Sequence, residues 1–276
     1  MQAFPASFLL LFYQIALGGL FALAATPFHE LDRRFYKSTA GVLFVVGLLG
    51  LLGKSDLHQA NLHPGLKLSA TLELLFHVLF LLAFALYLYS LWGESVAFRA
   101  RTFSSTLFVG LTGLALSSQP FYQAPLWSFE TVLYPVSFFL SALLLGSVTV
   151  GMLVGHWYLI DTGQTIDPFI RIFKFFFVSL LVQTVFLLAL PLFLYFFGSS
   201  STGLNLGRLW ENHSVLLGAR LLTAQVGSLI LSAMIWRTLK IPHTMAATGL
   251  FYIALLGVFV GEILGRQILA LTFLPF

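Results

Sequence analysis

The chain has 276 residues, of which 59% are hydrophobic and only 9% charged; its net charge is +4 and its mean hydropathy +0.95. An ordinary globular protein carries about 25% charged residues, so a water-soluble domain is excluded. Cysteine is absent, which removes protein-ligated iron–sulfur clusters, thioether-attached haem and disulfides. The small basic excess needs no nucleic acid, because loop ends facing anionic lipid account for it.

Eight apolar stretches follow one another with short loops between them: Ser7–Ala25, Ser38–Gly53, Leu68–Trp92, Phe103–Ser118, Pro135–Ile160, Ile170–Phe197, Ser214–Trp236 and Ala246–Ala270. A hydrocarbon core of roughly 30 Å takes about 20 helical residues. The runs are continuous in Leu, Phe and Ala and lack the period-two alternation of barrel strands. They predict an all-α integral membrane protein, a bundle of about eight transmembrane helices. The second and fourth stretches are short and glycine-rich, with soft boundaries, and Pro191 is expected to interrupt the sixth. The first stretch has no basic segment before it and the cluster Arg33, Arg34, Lys37 after it, so it reads as a retained helix rather than a cleaved signal.

Eight crossings put both ends of the chain on one side of the membrane. The opposite side collects nine of the fourteen basic residues, Arg33, Arg34, Lys37, Arg99, Arg101, Arg171, Lys174, Arg237 and Lys240; the terminal side has Lys54, Lys67, Arg208, Arg266 and, within a span, Arg220. The positive-inside rule then places both termini outside; the expected location is a bacterial inner (cytoplasmic) membrane. Trp92, Trp127, Trp157, Trp210 and Trp236 all fall near span ends, the expected interfacial belt.

Ionisable groups inside hydrocarbon cost free energy and mark function or deliberate pairing. The third span carries Glu73 and His77, four apart and so on one helix face; the seventh carries Arg220 and Gln225, the eighth Glu262 and Arg266, and the first Gln14. All fall in the outer half of the membrane, as a single polar site would require. The plainer reading is that Glu262–Arg266 and Arg220–Glu73 are ion pairs near the interface, with arginine stems reaching outward. On the opposite side, His29, Glu30 and Asp32 follow the first span, and Gly155, His156, Trp157 and Tyr158 close the fifth. A b-type haem between His29 and His156 is one reading of that pair; interfacial anchoring is the other. His58, His63, His213 and His243 read as solvated loop residues without metal spacing, and no phosphate-binding glycine motif is present.

Gly19 and His29 are spaced as Gly146 and His156 are, with an offset of 127. A parallel repeat of two four-helix halves, 1–130 and 131–276, would produce this within one transmembrane domain.

The segment Val136-Ser-Phe-Phe-Leu-Ser-Ala-Leu-Leu-Leu-Gly146 resembles the fifth-helix region of the NrfD/DmsC/PsrC-like membrane anchors. Gly261-Glu262-Ile-Leu-Gly265-Arg266 resembles a Gly-Glu-x-x-Gly-Arg pattern near their C-terminus. The similarity covers roughly the last half of the chain, and of the polar residues only Glu262 and Arg266 sit on the pattern. It implies a subunit that anchors partners carrying iron–sulfur clusters or haems and exchanges electrons with quinone. Glu73, His77, Arg220, Glu262, Arg266 and Gln14 are then the expected quinone-binding and proton-relay set, since quinone chemistry moves protons as well as electrons. Two other classes stay open: a secondary transporter using the same carboxylates, and a structural subunit whose polar groups simply pair.

Overall fold

The computed structural model describes residues 3–26, 28, 30–60, 68–121, 128–161 and 163–276. Among them the chain is helical throughout and forms no strand: α1 (Ala3–Ala24), α2 (Arg33–Ala60), α3 (Leu68–Ser90), α4 (Val96–Ser118), α5 (Glu130–Ile160), α6 (Asp167–Phe197), α7 (Ser200–Asn212), α8 (Ser214–Arg220), a π-helical turn Leu221–Val226, α9 (Gly227–Lys240) and α10 (Thr244–Thr272). With no water to satisfy backbone groups in hydrocarbon, helices are the natural way to cross it. This is an all-α polytopic membrane protein.

Among the described residues seven helical runs are long and apolar enough to cross a membrane, the run from Ser214 to Lys240 counting as one; α4 does not qualify on its own. It begins with Arg99 and Arg101 and is diluted by Ser, Thr and Gly. Its neighbours nevertheless make it traverse the bundle. Gly47, Gly50 and Gly53 of α2 face Ala16, Phe12 and Leu9 of α1, so these two helices are antiparallel. Phe44 meets Phe84, which turns α3 against α2, and Tyr87 meets Phe103, which turns α4 against α3. Gly18 then meets Ala142 and Gly146 while Gln14 meets Phe138, so α5 runs parallel to α1. That is possible only if α4 has returned the chain to the starting end.

The centre is the α1–α5 contact. Gly18 lies against the Ala142 carbonyl and Gly146 against the Gly18–Gly19 backbone, leaving no room for a side chain at either position. Small residues let helix backbones approach within a bilayer, where van der Waals packing does the work that water exclusion does elsewhere. Gly19 and Gly146, the equivalent positions of the suspected repeat, therefore touch each other. Around this seam α1 packs on α2, α4 and α10, and α5 on α4, α6 and α10. Leu82, Leu86, Val185, Leu188 and Phe196 of α3 and α6 face outward, where lipid takes the place of a protein partner.

Three local expectations change. α6 passes through Pro191 without a break. His58 belongs to the last turn of α2 rather than to a loop. Between α6 and the seventh span lies the short helix α7, whose Thr202, Leu206 and Leu209 are buried while Arg208, Trp210 and Glu211 are exposed. It is anchored by Glu130, whose carboxylate accepts from the Ser199 N–H at 2.8 Å and the Thr202 hydroxyl at 2.7 Å.

Candidate functional site: two polar clusters divided by helix α1

The six expected site residues are all buried, but they form two groups rather than one. Gln14 and Tyr13 are consecutive on α1 and point to different neighbours. Gln14 faces α5 and α10, donating to the Phe138 carbonyl at 2.7 Å and accepting from Arg266 at 2.9 Å. Tyr13 faces α3 and α4, donating to the Gly110 carbonyl at 2.8 Å, with its ring 4.1 Å from that of His77. Successive helical side chains diverge by about 100°, so one helix serves and separates both clusters.

The first cluster centres on Glu262. One carboxylate oxygen accepts from Gln183 at 2.7 Å and from Arg220 at 3.3 Å; the other lies 3.6 Å from Arg266. Gln183 also donates to Ser141 at 3.2 Å, and the Arg266 guanidinium sits 4.9 Å from the Phe138 ring centroid, within cation–π range. The side chains of Glu262, Arg220 and Arg266 are 0%, 1% and 4% exposed, so this group is sealed. Gly261 and Gly265 explain how it is seated. Gly261 lets α10 close against Ala224, and the Arg220 guanidinium fills the space that a side chain at position 265 would need. The π-helical turn after Arg220 matters for the same reason. At i to i+5 spacing it brings Arg220 and Gln225 toward one face, and Gln225 accepts from Thr184 of α6 at 2.7 Å.

The second cluster is Lys54, Glu73, His77 and Tyr13. Lys54 of α2 forms an ion pair with Glu73 of α3. The expected Arg220–Glu73 pair is therefore not formed, because antiparallel packing of α2 on α3 brings Lys54 to Glu73 and leaves Arg220 to Glu262. His77 Nδ1 is 2.8 Å from the Glu73 carbonyl. A carbonyl can only accept, so Nδ1 carries the hydrogen and Nε2 is the ring's acceptor. Gly110 and Gly113 of the glycine-rich fourth span make room for this group: Gly113 lies against the Tyr13 hydroxyl, and Gly110 against Leu17 and Phe80. The Lys54 and Glu73 side chains are 21% and 11% exposed. This cluster is less enclosed than the Glu262 cluster.

Sequence reading missed Lys54, Tyr13, Gln183 and Ser141 as members of these groups. Lys54 was legible in principle, since an antiparallel α2–α3 hairpin pairs positions of constant summed number. The other three depend on tertiary packing. His29 lies outside the described residues. His156 is exposed at the end of α5, with Nδ1 3.4 Å from the Tyr252 hydroxyl. Among the described residues no group of three or more metal-ligating side chains converges. No protein-family model matches the chain, and no curated protein matches it.

Proposed function

We propose that this chain is the membrane anchor subunit of a multi-subunit oxidoreductase in a bacterial cytoplasmic membrane. Quinone or quinol meets it at the Glu73–His77 group near the outer face, and partner subunits with iron–sulfur clusters or haems exchange the electrons. The observation that carries this reading is the geometry of His77. Its Nδ1–H is committed to the Glu73 carbonyl, which turns Nε2 into a lone-pair acceptor for a quinol hydroxyl proton. Glu73 and Lys54 stand between that imidazole and the less buried end of the cluster, a path for the proton that quinol oxidation releases. The similarity of Gly261–Arg266 to the NrfD/DmsC/PsrC-like pattern supports the same class, with Glu262 and Arg266 as framework rather than reactive groups.

A second reading, a secondary transporter, is favoured by one feature. The π-helical turn Leu221–Val226 interrupts a membrane-spanning run beside a buried arginine, and irregular helices of this kind line transport sites.

The test is quinone turnover in the intact complex carrying His77→Ala. Loss of turnover at unchanged complex yield is the expected result, and normal turnover overturns the assignment. Reporter fusions after Phe276 and within 54–67 should both read external; cytoplasmic readouts would move the group to the inner face.

A further inference from the structure

The opposite end of the bundle holds a cavity of about 290 Å³ between the end of α1, the start of α2, the end of α3 and the start of α4. Thr26, Phe28, Tyr36, Tyr87, Arg99 and Phe103 are among its lining residues. The Arg99 guanidinium lies 3.8 Å from the Phe28 ring centroid. Arg33 of α2, which is not among the lining residues, lies within electrostatic reach of Arg99. Arg33 donates to the Gly93 carbonyl, and its Nε is buried without a hydrogen-bond partner. Lys37 adds a third cation 4.8 Å from the Trp92 ring centroid.

Among the described residues no carboxylate is paired with either arginine. Of the acids nearest in sequence, Asp32 accepts from the Arg34 N–H at 2.7 Å and Glu30 is bound to Arg171, while Glu94, next to Gly93, is exposed and paired with neither arginine. Two guanidinium groups within electrostatic reach of each other, neither paired with a carboxylate, favour an anion between them. The remaining walls, Leu23, Ala24 and Phe103, are apolar, and Val96 and Ala100 at the rim are exposed. A cavity charged at one end and greasy at the other fits an amphiphile.

We propose that this cavity is a binding site for an anionic phospholipid. Its phosphate bridges Arg33 and Arg99, and its glycerol and upper acyl segments lie against Tyr87 and Phe103. The assignment is independent of the quinone reading, since the cavity lies at the end of the bundle remote from Glu73 and His77.

The experiment is retention of phosphatidylglycerol by the full chain, extracted from vesicles of mixed phosphatidylglycerol and phosphatidylcholine and measured by mass spectrometry of the bound lipid. The native chain should keep phosphatidylglycerol in preference to phosphatidylcholine. Replacing both cations, Arg33→Gln with Arg99→Gln, should lower retention roughly tenfold, as expected for lost charge-assisted hydrogen bonds. Ala100→Leu, which fills the rim with every charge intact, should lower it comparably and decides the matter by itself if the double variant does not fold. Arg101→Gln, which removes an equal charge outside this cavity, should leave retention unchanged. Equal loss in Arg101→Gln, undiminished retention in Ala100→Leu, or no preference over phosphatidylcholine would overturn the site. Displacement of the lipid by excess inorganic phosphate, with phosphate bound in its place, would overturn the lipid assignment as well.

Discussion

The two polar clusters on either side of α1 use the same kinds of group to opposite ends. Around Glu262, one carboxylate is held by two arginines and a glutamine, and every charged side chain is at most 4% exposed. Around Glu73, one carboxylate meets one lysine, both side chains being partly exposed, and the His77 ring lies tilted against the Tyr13 phenol. Removing the Glu262 carboxylate would leave two buried arginines without their counter-ion, whereas Glu73 has a single cation beside it. Burial and charge count, more than residue type, distinguish the two clusters.

The sharpest way to break this comparison is to strip the Glu262 cluster. Arg220→Ala leaves Glu262 short of a partner and empties the space above Gly265, so stability should fall by about 3–5 kcal/mol, the usual consequence of breaking a buried pair. Thermal unfolding of the purified chain and its yield in membranes both read this out. If Arg220→Ala is fully stable yet inactive, the roles of the two clusters are reversed.

His77→Ala should do the converse. If His77 is the proton acceptor proposed above, its loss should cost on the order of 10²-fold or more in rate, while unfolding temperature and complex yield remain close to native. A parallel drop in both would place His77 in the framework instead.

Gly265→Ala tests the seat of the Arg220 guanidinium without touching a charge. Overpacking of this kind costs typically 1–3 kcal/mol, and a double-mutant cycle with Arg220→Ala should show strong coupling, since removal of the guanidinium empties the occupied space. Additive losses would mean that Gly265 serves backbone packing alone.

The smallest expected effect on stability belongs to Lys54→Met. A partly exposed ion pair contributes roughly 0–1 kcal/mol, so thermal unfolding should barely move, whereas the pH profile of quinone turnover should change if the proposed proton path runs through this pair. An unchanged profile would remove Lys54 and Glu73 from the proton path.

The sequence by itself determined the solvent, the helix class and most of the spans. Hydrocarbon imposes a length and an apolarity that Leu-, Phe- and Ala-rich runs announce one by one, and the lack of backbone partners in lipid leaves helices as the answer. The depth of Glu73, His77, Arg220, Glu262 and Arg266 was legible for the same reason, since a span's ends set the level of every residue within it. Azimuth was not. Whether Glu73 meets Arg220 or Lys54 depends on which helices are neighbours, and a pattern of uniformly apolar helices carries little signal about rotation around each axis. The passage of α4, read from the sequence as a short span with soft boundaries, is fixed by α1 and α5 running parallel through their glycine seam. The turn that brings Arg220 and Gln225 to one face is a π-helical detour that no residue in Leu221–Val226 spells out. Tertiary structure decided these points because side chains choose partners across helices, at distances along the chain that local periodicity does not reach.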